Sequence, residues 1–332
     1  MPASSRPLVV FTDDTIHPAA AERLASSCEL HILSGAYPSE DELVEAVADA
    51  DAVFARLAVM TRRVIDSGKK LKIIARHGIG VDAVDLQAAT ERGILVTTTG
   101  TANSNAVAEY TIAMILGLLR EIVAADAGMR DGQWTRGPLV GEELEEMTLG
   151  VVGIGSIGSL VALKGVGLGM KVLAQDPRVN GPPDSRIEMT TREDLLKRAD
   201  IVTLHTRLEE GTWHTINSES FELMKKDSIF VNNARGECVD EKALIEVLKS
   251  QRIAGAALDV FEVEPLPADS PLRQLPNVLL SPHVAGQTHA AMRRVAIAAA
   301  TAIEDALAGR IPRYVYNPEA LEIRQRTSSR HR

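Results

Sequence analysis

The sequence predicts an α/β protein built from two Rossmann-like, doubly wound parallel-sheet units. Three observations carry that expectation. Short apolar runs alternate with helix-like segments along most of the chain, the rhythm of βαβ units. A long apolar helix interrupts this rhythm once, near the first third, after which it resumes. The composition is 45% hydrophobic yet only 3% aromatic, dominated by Ala, Val, Leu and Ile, which suits buried parallel strands covered by helices on both faces. At 332 residues there is chain enough for two cores.

Taken in order, residues 8–11, 29–33, 52–55, 72–75 and 94–97 read as the strands of the first unit. Residues 19–26, 41–48, 63–67 and 86–91 read as its helices. A long helix is predicted from about residue 105 to 129, capped by Asn103, Ser104 or Asn105. Its most apolar part, residues 106–119, contains Glu109 and ends at Arg120, so it reads as a buried helix and not a membrane span. Strands of the second unit follow at 148–153, 171–175, 200–204, 228–231, 254–258 and 278–280. An apolar-faced helix over 288–307 is stopped by Ala308-Gly309-Arg310. Residues 322–332 are polar and basic without periodicity, and read as a loose tail.

Several classes of function are disfavoured. A net charge of −9 argues against a nucleic-acid scaffold. Cys28 and Cys238 lie far apart and in no ligand spacing, so neither a disulfide nor a metal site is expected. The N-terminus lacks the charged-then-apolar pattern of a signal peptide, and a cytoplasmic protein is expected.

The positive signal begins mid-chain. Gly153-Ile154-Gly155-Ser156-Ile157-Gly158 is a full G-x-G-x-x-G after an apolar run and before a helix-like segment. Gly153 permits a tight turn, Gly155 lets backbone approach a pyrophosphate, and Gly158 allows close helix–strand packing. The helix N-terminus offers unpaired N–H groups and partial positive charge to phosphates. Asp176, eighteen residues past Gly158 at the end of a second apolar run, can accept both ribose hydroxyls and would repel a 2′-phosphate. Together these point to NAD.

Three later strand ends carry reactive side chains: Arg235 beside Gly236, the acids Asp259, Glu262 and Glu264, and His283 in Ser281-Pro282-His283. Singly, each has an ordinary reading as a surface ion pair, a solvated acidic loop or a hydrogen-bonded structural histidine. Jointly they make an acid–base–anchor set. Arg can grip a carboxylate with two parallel bonds, and a His–Glu pair can give or take a proton near neutral pH.

These residues lie in motifs that resemble the D-isomer-specific 2-hydroxyacid dehydrogenase family, in its phosphoglycerate dehydrogenase-like branch. The motifs are residues 76–85, residues 106–111, the glycine turn, residues 233–241, residues 258–265 and residues 281–286, in order and covering nearly the whole chain. The resemblance implies an NAD-dependent oxidoreductase that moves hydride between NAD(H) and a small anionic 2-hydroxy or 2-oxo acid. Substrates of the 3-phosphoglycerate, glycerate/hydroxypyruvate or glyoxylate class are implied. It makes Arg235 the carboxylate and oxo anchor, His283 the acid–base, and Glu264 its partner. Asp259, Asn233 and Ala234 would lie by the nicotinamide, Ser156 and Ile157 by the phosphates, and Thr206 by the adenosine. Gly78, Ile79 and Gly80 would offer backbone N–H groups to the substrate carboxylate. Arg56 matches an arginine common in the branch and reads either as a contact for a phosphate or second anionic group of the substrate or as a solvated surface residue. His77, a distinctive residue here, either faces the substrate or simply packs.

The resemblance also implies a discontinuous substrate domain, residues 1–102 with 288–332, around an NAD-binding domain of residues 103–287, and an active-site cleft between the two. The long helix and the segment through Trp134 would form a homodimer surface. Two departures stand out: Arg207 replaces the family's usual proline, and Arg178, two residues past Asp176, could soften discrimination against NADP. The chain ends short of the regulatory domain of long phosphoglycerate dehydrogenases, so serine feedback is not expected. The alternative on the same scaffold is an NAD(H)-sensing regulator of the corepressor kind.

Overall fold

The computed structural model describes residues 6–134, 137 and 139–330. The chain forms two compact units. One runs to Asn103 and is completed by the chain from Gln287 onward, and the other is Ser104–Gly286.

The first unit opens with β1 (Leu8–Phe11), α1 (Ala19–Leu24), β2 (Glu29–Ile32), α2 (Glu40–Val47), β3 (Ala52–Ala55), α3 (Arg62–Ser67), β4 (Ile73–Arg76), α4 (Leu86–Glu91) and β5 (Leu95–Thr97). The second unit comprises α5 (Ser104–Leu119), α6 (Ile122–Arg130), β6 (Thr148–Val152), α7 (Ser156–Gly167), β7 (Lys171–Gln175) and β8 (Ile187–Met189). It continues through α8 (Arg192–Arg198), β9 (Ile201–Leu204), α9 (Ser218–Leu223), β10 (Ile229–Asn232), α10 (Glu241–Lys249), β11 (Gly255–Leu258) and β12 (Val278–Leu280). The chain then returns to the first unit as α11 (His289–Leu307) and α12 (Glu319–Arg330).

Both sheets are parallel throughout their strand pairs, as the fold class requires. In the first unit the order is β2-β1-β3-β4-β5, and in the second β12-β11-β10-β9-β6-β7-β8. Alternation along each strand feeds two cores. Val9, Phe11, Phe54, Ile73 and Leu95 pack with Ala296, Ala299, Ala300 and Ile303 of α11. Val10, Val53, Ile74 and Val96 face the opposite way, onto Leu43, Val47, Val64, Ile65 and Ala89. The small side chains of α11 let it lie close to the sheet, and Thr288 caps its start by accepting from Ala291 N at 3.1 Å. In the second unit Val151, Val172, Ile201 and Val231 meet Met114 and Ile115 of α5 and Val161 and Ala162 of α7. Val152, Leu173, Val202 and Phe230 form the other face.

Each strand order reverses direction once. The reversal lies between β1 and β3 in the first unit and between β6 and β9 in the second. Ligands of open α/β sheets bind at the carboxyl ends of such strands, so these two points position the chemistry.

Two sequence expectations need correction. The single long helix from 105 to 129 is two helices, α5 and α6, because Glu121 adopts a left-handed conformation, φ 49°, that ends the helical hydrogen-bond run. The loose tail from 322 is instead part of α12 as far as Arg330, and positions 331 and 332 lie outside the described residues. That helix is docked by Ala320, which is fully buried, and by Arg324 Nε donating to Gly93 O at 2.8 Å. The second sheet also holds β8, a three-residue edge strand with too short a pattern to be read.

Candidate active site

At the reversal point of the second sheet, β6 runs into the glycine turn. Gly153 has φ +91°, a conformation that disfavours any side chain, and a Cβ on Gly158 would fall 1.9 Å from Gly153 O. A Cβ on Gly155, by contrast, would meet nothing within 4 Å. Gly158 is therefore required by the turn itself, whereas Gly155 leaves open space above it. The first turn of α7, which begins at Ser156 and Ile157, has no side-chain cap, so its N–H groups face that space. Asp176, directly after β7, accepts from Ile154 N at 3.0 Å and Arg178 N at 2.9 Å. Its carboxylate is thus fixed beside the turn with lone pairs to spare. Open approach, free helix N-terminus and fixed acid fit the pyrophosphate and ribose of a dinucleotide.

His205, at the end of β9, buttresses this turn: a Cβ on Gly153 would strike His205 O at 2.7 Å. Burial pushes its pKa down to about 3, and its Nε2 pairs with Thr203 Oγ1 at 2.9 Å. Thr206 follows immediately. Arg178 forms a forked pair with Glu209, its Nη1 2.9 Å from Oε1 and its Nη2 on Oε2.

The catalytic candidates gather at the carboxyl ends of β10, β11 and β12. Arg235 follows β10, on a turn braced from both sides by the buried Asn232, which donates to Arg235 O at 2.9 Å and accepts from Ala234 N at 3.0 Å. Gly236 is obligatory there, since a Cβ would sit 1.9 Å from the Phe261 carbonyl carbon. That close approach brings the Arg235 turn against the segment that carries Glu264. Glu264 Oε2 lies 2.7 Å from His283 Nδ1, and Oε1 accepts from Phe261 N at 3.1 Å. Burial acts to raise the Glu264 pKa, but the bond and charge of His283, the Phe261 N–H and the Arg235 guanidinium together hold it below the usual range. The carboxylate is therefore ionised at neutral pH and fixes the ring with Nε2 outward.

Asp259 serves the same corner differently. The residue is 1% exposed, and its carboxylate accepts from Ser281 Oγ at 2.6 Å, Val284 N at 2.9 Å and Ala285 N at 2.8 Å. Burial raises its pKa even so. All three bonds go to the loop that presents His283. Asn233 and Ala234 are buried next to Arg235, and Asn233 Oδ1 is a buried acceptor with no hydrogen-bond partner among the described residues, suited to an amide donor from a ligand.

The first unit holds its own cluster at its reversal point. Arg56, after β3, pairs with the fully buried Asp13, after β1, at 3.2 Å and also donates to Thr15 Oγ1. Its side chain is only 12% exposed, so it is no solvated surface arginine. His77 follows β4, and its Nε2 is buried with no hydrogen-bond partner among the described residues. Burial, then the charge of Arg56, pushes the His77 pKa down to about 4, so the ring is neutral at pH 7. Gly78, Ile79 and Gly80 follow in a turn where Gly78 has φ +137° and Gly80 O accepts from Arg76 Nε at 3.2 Å.

Comparison with known proteins agrees with this chemistry. Residues 112–285 match the model of the D-isomer specific 2-hydroxyacid dehydrogenase, NAD binding domain. The chain belongs to the D-isomer specific 2-hydroxyacid dehydrogenases. This dehydrogenase is 39% identical over 312 residues to D-3-phosphoglycerate dehydrogenase of Methanocaldococcus jannaschii, covering 93% of this chain and 59% of that longer protein. It is 40% identical over 295 residues to glyoxylate reductase of Thermofilum pendens, covering 86% and 87% respectively. Among solved structures, D-lactate dehydrogenase of Aquifex aeolicus complexed with NAD and lactic acid superposes with a TM-score of 0.82 at 28% identity, covering 95% of this chain and 97% of that one. NAD is the cofactor of this 2-hydroxyacid dehydrogenase, and the glycine turn with Asp176 is the part of the chain that fits it.

Some residues that shape this dehydrogenase's candidate site were not legible beforehand. Asn232 and His205 lie inside strand-end motifs but act through backbone and packing, which a list of reactive side chains passes over. Asp13 carries no motif at all, and only the β1–β3 adjacency reveals it.

Proposed function

We propose that this chain interconverts a short-chain 2-hydroxy acid and its 2-oxo acid. The observation that carries this reading is the 2.7 Å bond between His283 Nδ1 and Glu264 Oε2, with Arg235 beside it at the end of the neighbouring strands. The bound cofactor would supply the hydride as NADH in reduction and accept it as NAD in oxidation. Arg235 grips the substrate carboxylate and polarises the 2-oxo group. His283 donates from Nε2 to the forming hydroxyl in reduction and takes that proton in oxidation. Glu264 holds the tautomer and stabilises the imidazolium that oxidation produces. Asp259 positions the His283 loop. Asn233 and Ala234 line the nicotinamide side, and Thr206 the adenosine side.

Arg56, His77 and the Gly78–Gly80 backbone are assigned to the substrate. With Arg56 pre-oriented by Asp13 and His77 neutral, this group suits a small acid of the 3-phosphoglycerate, glycerate/hydroxypyruvate or glyoxylate class. On this reading residues 103–287 form the NAD-binding domain, and residues 1–102 with 288–332 the substrate-binding one. The test is NADH consumption with a panel of 2-oxo acids that includes phosphohydroxypyruvate, hydroxypyruvate and glyoxylate. Turnover of at least one is expected. NADH binding with no turnover of any would sink the enzyme reading in favour of an NAD(H) sensor.

The chain is further proposed to act as a cytoplasmic homodimer. Cys28 and Cys238 are both free and buried, as suits a reducing compartment. Among the described residues no helix is long and apolar enough to cross a membrane. The dimer surface is assigned to α6 and the segment after it. That helix has no buried residue, yet Ile122, Val123 and Met129 are each more than half exposed, with Trp134 and Val140 following.

A further inference from the structure

The second unit carries a charge pair that the hydride chemistry does not use. Arg178 lies two residues past Asp176, and its own backbone N–H is bonded to the Asp176 carboxylate at 2.9 Å. Its guanidinium therefore starts from the point where the ribose of the cofactor would be read. It is the kind of group that accommodates a 2′-phosphate. Yet both arms of its fork are taken by Glu209.

Glu209 is well placed to keep that hold. It follows β9, whereas Arg178 follows β7, and these two strands flank β6 in the sheet. The pair therefore joins the loops on either side of the glycine turn. Glu209 is itself set by a tight turn: its carbonyl accepts from Thr212 N at 2.9 Å and Trp213 N at 3.1 Å, and its N–H donates to Thr212 Oγ1 at 2.7 Å. The bond to Arg178 and, after it, the charges of Arg178 and Arg207 hold the Glu209 carboxyl below its usual range, so it is ionised at neutral pH.

We propose that Glu209 sets the strictness with which this chain prefers NAD over its 2′-phosphorylated form. It does so by occupying the guanidinium that would otherwise receive the extra phosphate. Asp176 alone gives a preference; Asp176 with a neutralised Arg178 gives a stricter one. The inference rests on the assignment of NAD to this unit.

The experiment is a fluorescence titration of the full chain with NADH and with NADPH, reading the ratio of their Kd values. In Glu209→Gln the ratio Kd(NADPH)/Kd(NADH) should fall roughly threefold to tenfold, because an exposed pair is lost and a charge-assisted fork is released. Adding Arg178→Gln to that variant should return the ratio toward the wild-type value, and raising the salt concentration should shrink the gain. The ratio cancels any general loss of folding, which weakens both cofactors alike. An unchanged ratio in Glu209→Gln, or a fall that survives removal of Arg178, overturns the proposal while leaving NAD binding intact. Failure of the wild-type chain to bind NADH at all would instead overturn the cofactor assignment, and the proposal with it.

Discussion

His283 sits at φ 54°, a left-handed conformation that a residue with a Cβ keeps only when its surroundings hold it there. Those surroundings are identifiable. Its N–H is bonded to Asp259 O at 2.8 Å, its ring to Glu264, and the flanking loop to the Asp259 carboxylate. The two roles separate experimentally. His283→Ala should lower kcat by on the order of a hundredfold or more, the scale of a lost general acid, while NADH still binds. Wild-type turnover would remove His283 from the chemistry. Asp259→Asn puts a donor where the loop needs an acceptor and leaves a buried N–H unmatched, at a cost of about 1–3 kcal/mol. It should lower both Tm and kcat with little change in KM. A change in KM alone would show that Asp259 meets the ligand and not the loop.

Among the elements, the turn from β6 into α7 makes the sharpest separation between folding and binding. Gly158→Ala drives a methyl group into Gly153 O and should destabilise the second unit, visible as a lower Tm without cofactor. Gly155→Ala meets open space at an ordinary φ of −69°, so Tm should hold while NADH affinity drops, because the methyl group occupies the approach to the phosphates. Equal loss of stability in both variants would contradict this division. The break between α5 and α6 shows the opposite case. Apolar residues continue on both sides of Glu121, and no glycine or proline stands at the stop, so periodicity alone extends the helix across it. The polarity of the last segment likewise misleads, since α12 is docked at its start by Ala320, Leu321 and Arg324.

Across the whole molecule, two half-buried histidines stay neutral: His77 in the first unit, with a pKa pushed down to about 4, and His205 in the second, pushed down to about 3. Below the ordinary histidine range, near pH 6.5, the unfolded chain binds a proton at each position that the folded chain refuses. Stability should therefore fall as pH drops from about 6.5 toward 4, each histidine contributing at most about 3 kcal/mol to the loss. Melting curves of His77→Gln and His205→Gln at pH 7 and pH 5 should show a smaller pH effect than the wild type; an equal effect would place the acid sensitivity elsewhere. At the same scale, the proposed homodimer predicts that the wild type sediments as a dimer and that Val123→Glu on α6 shifts it to monomer. A dimer that tolerates the charge would move the interface off this helix.

Local spacing determined much of this protein. The alternating apolar runs are set by side-chain periodicity, and the glycine turn, Asp176, Arg235, Glu264 and His283 stand at fixed distances from strand ends that the runs define. These are short-range properties, readable within ten or twenty residues. Tertiary structure decided what depends on partners far apart in the chain. It set two different strand orders for two similar βαβ rhythms, and so the two points at which the order reverses. It paired Asp13 with Arg56, gave the Asp259 carboxylate to the His283 loop, and paired Arg178 with Glu209. No periodicity encodes those choices, because each is settled by which strands lie side by side and which buried groups must be satisfied once they do.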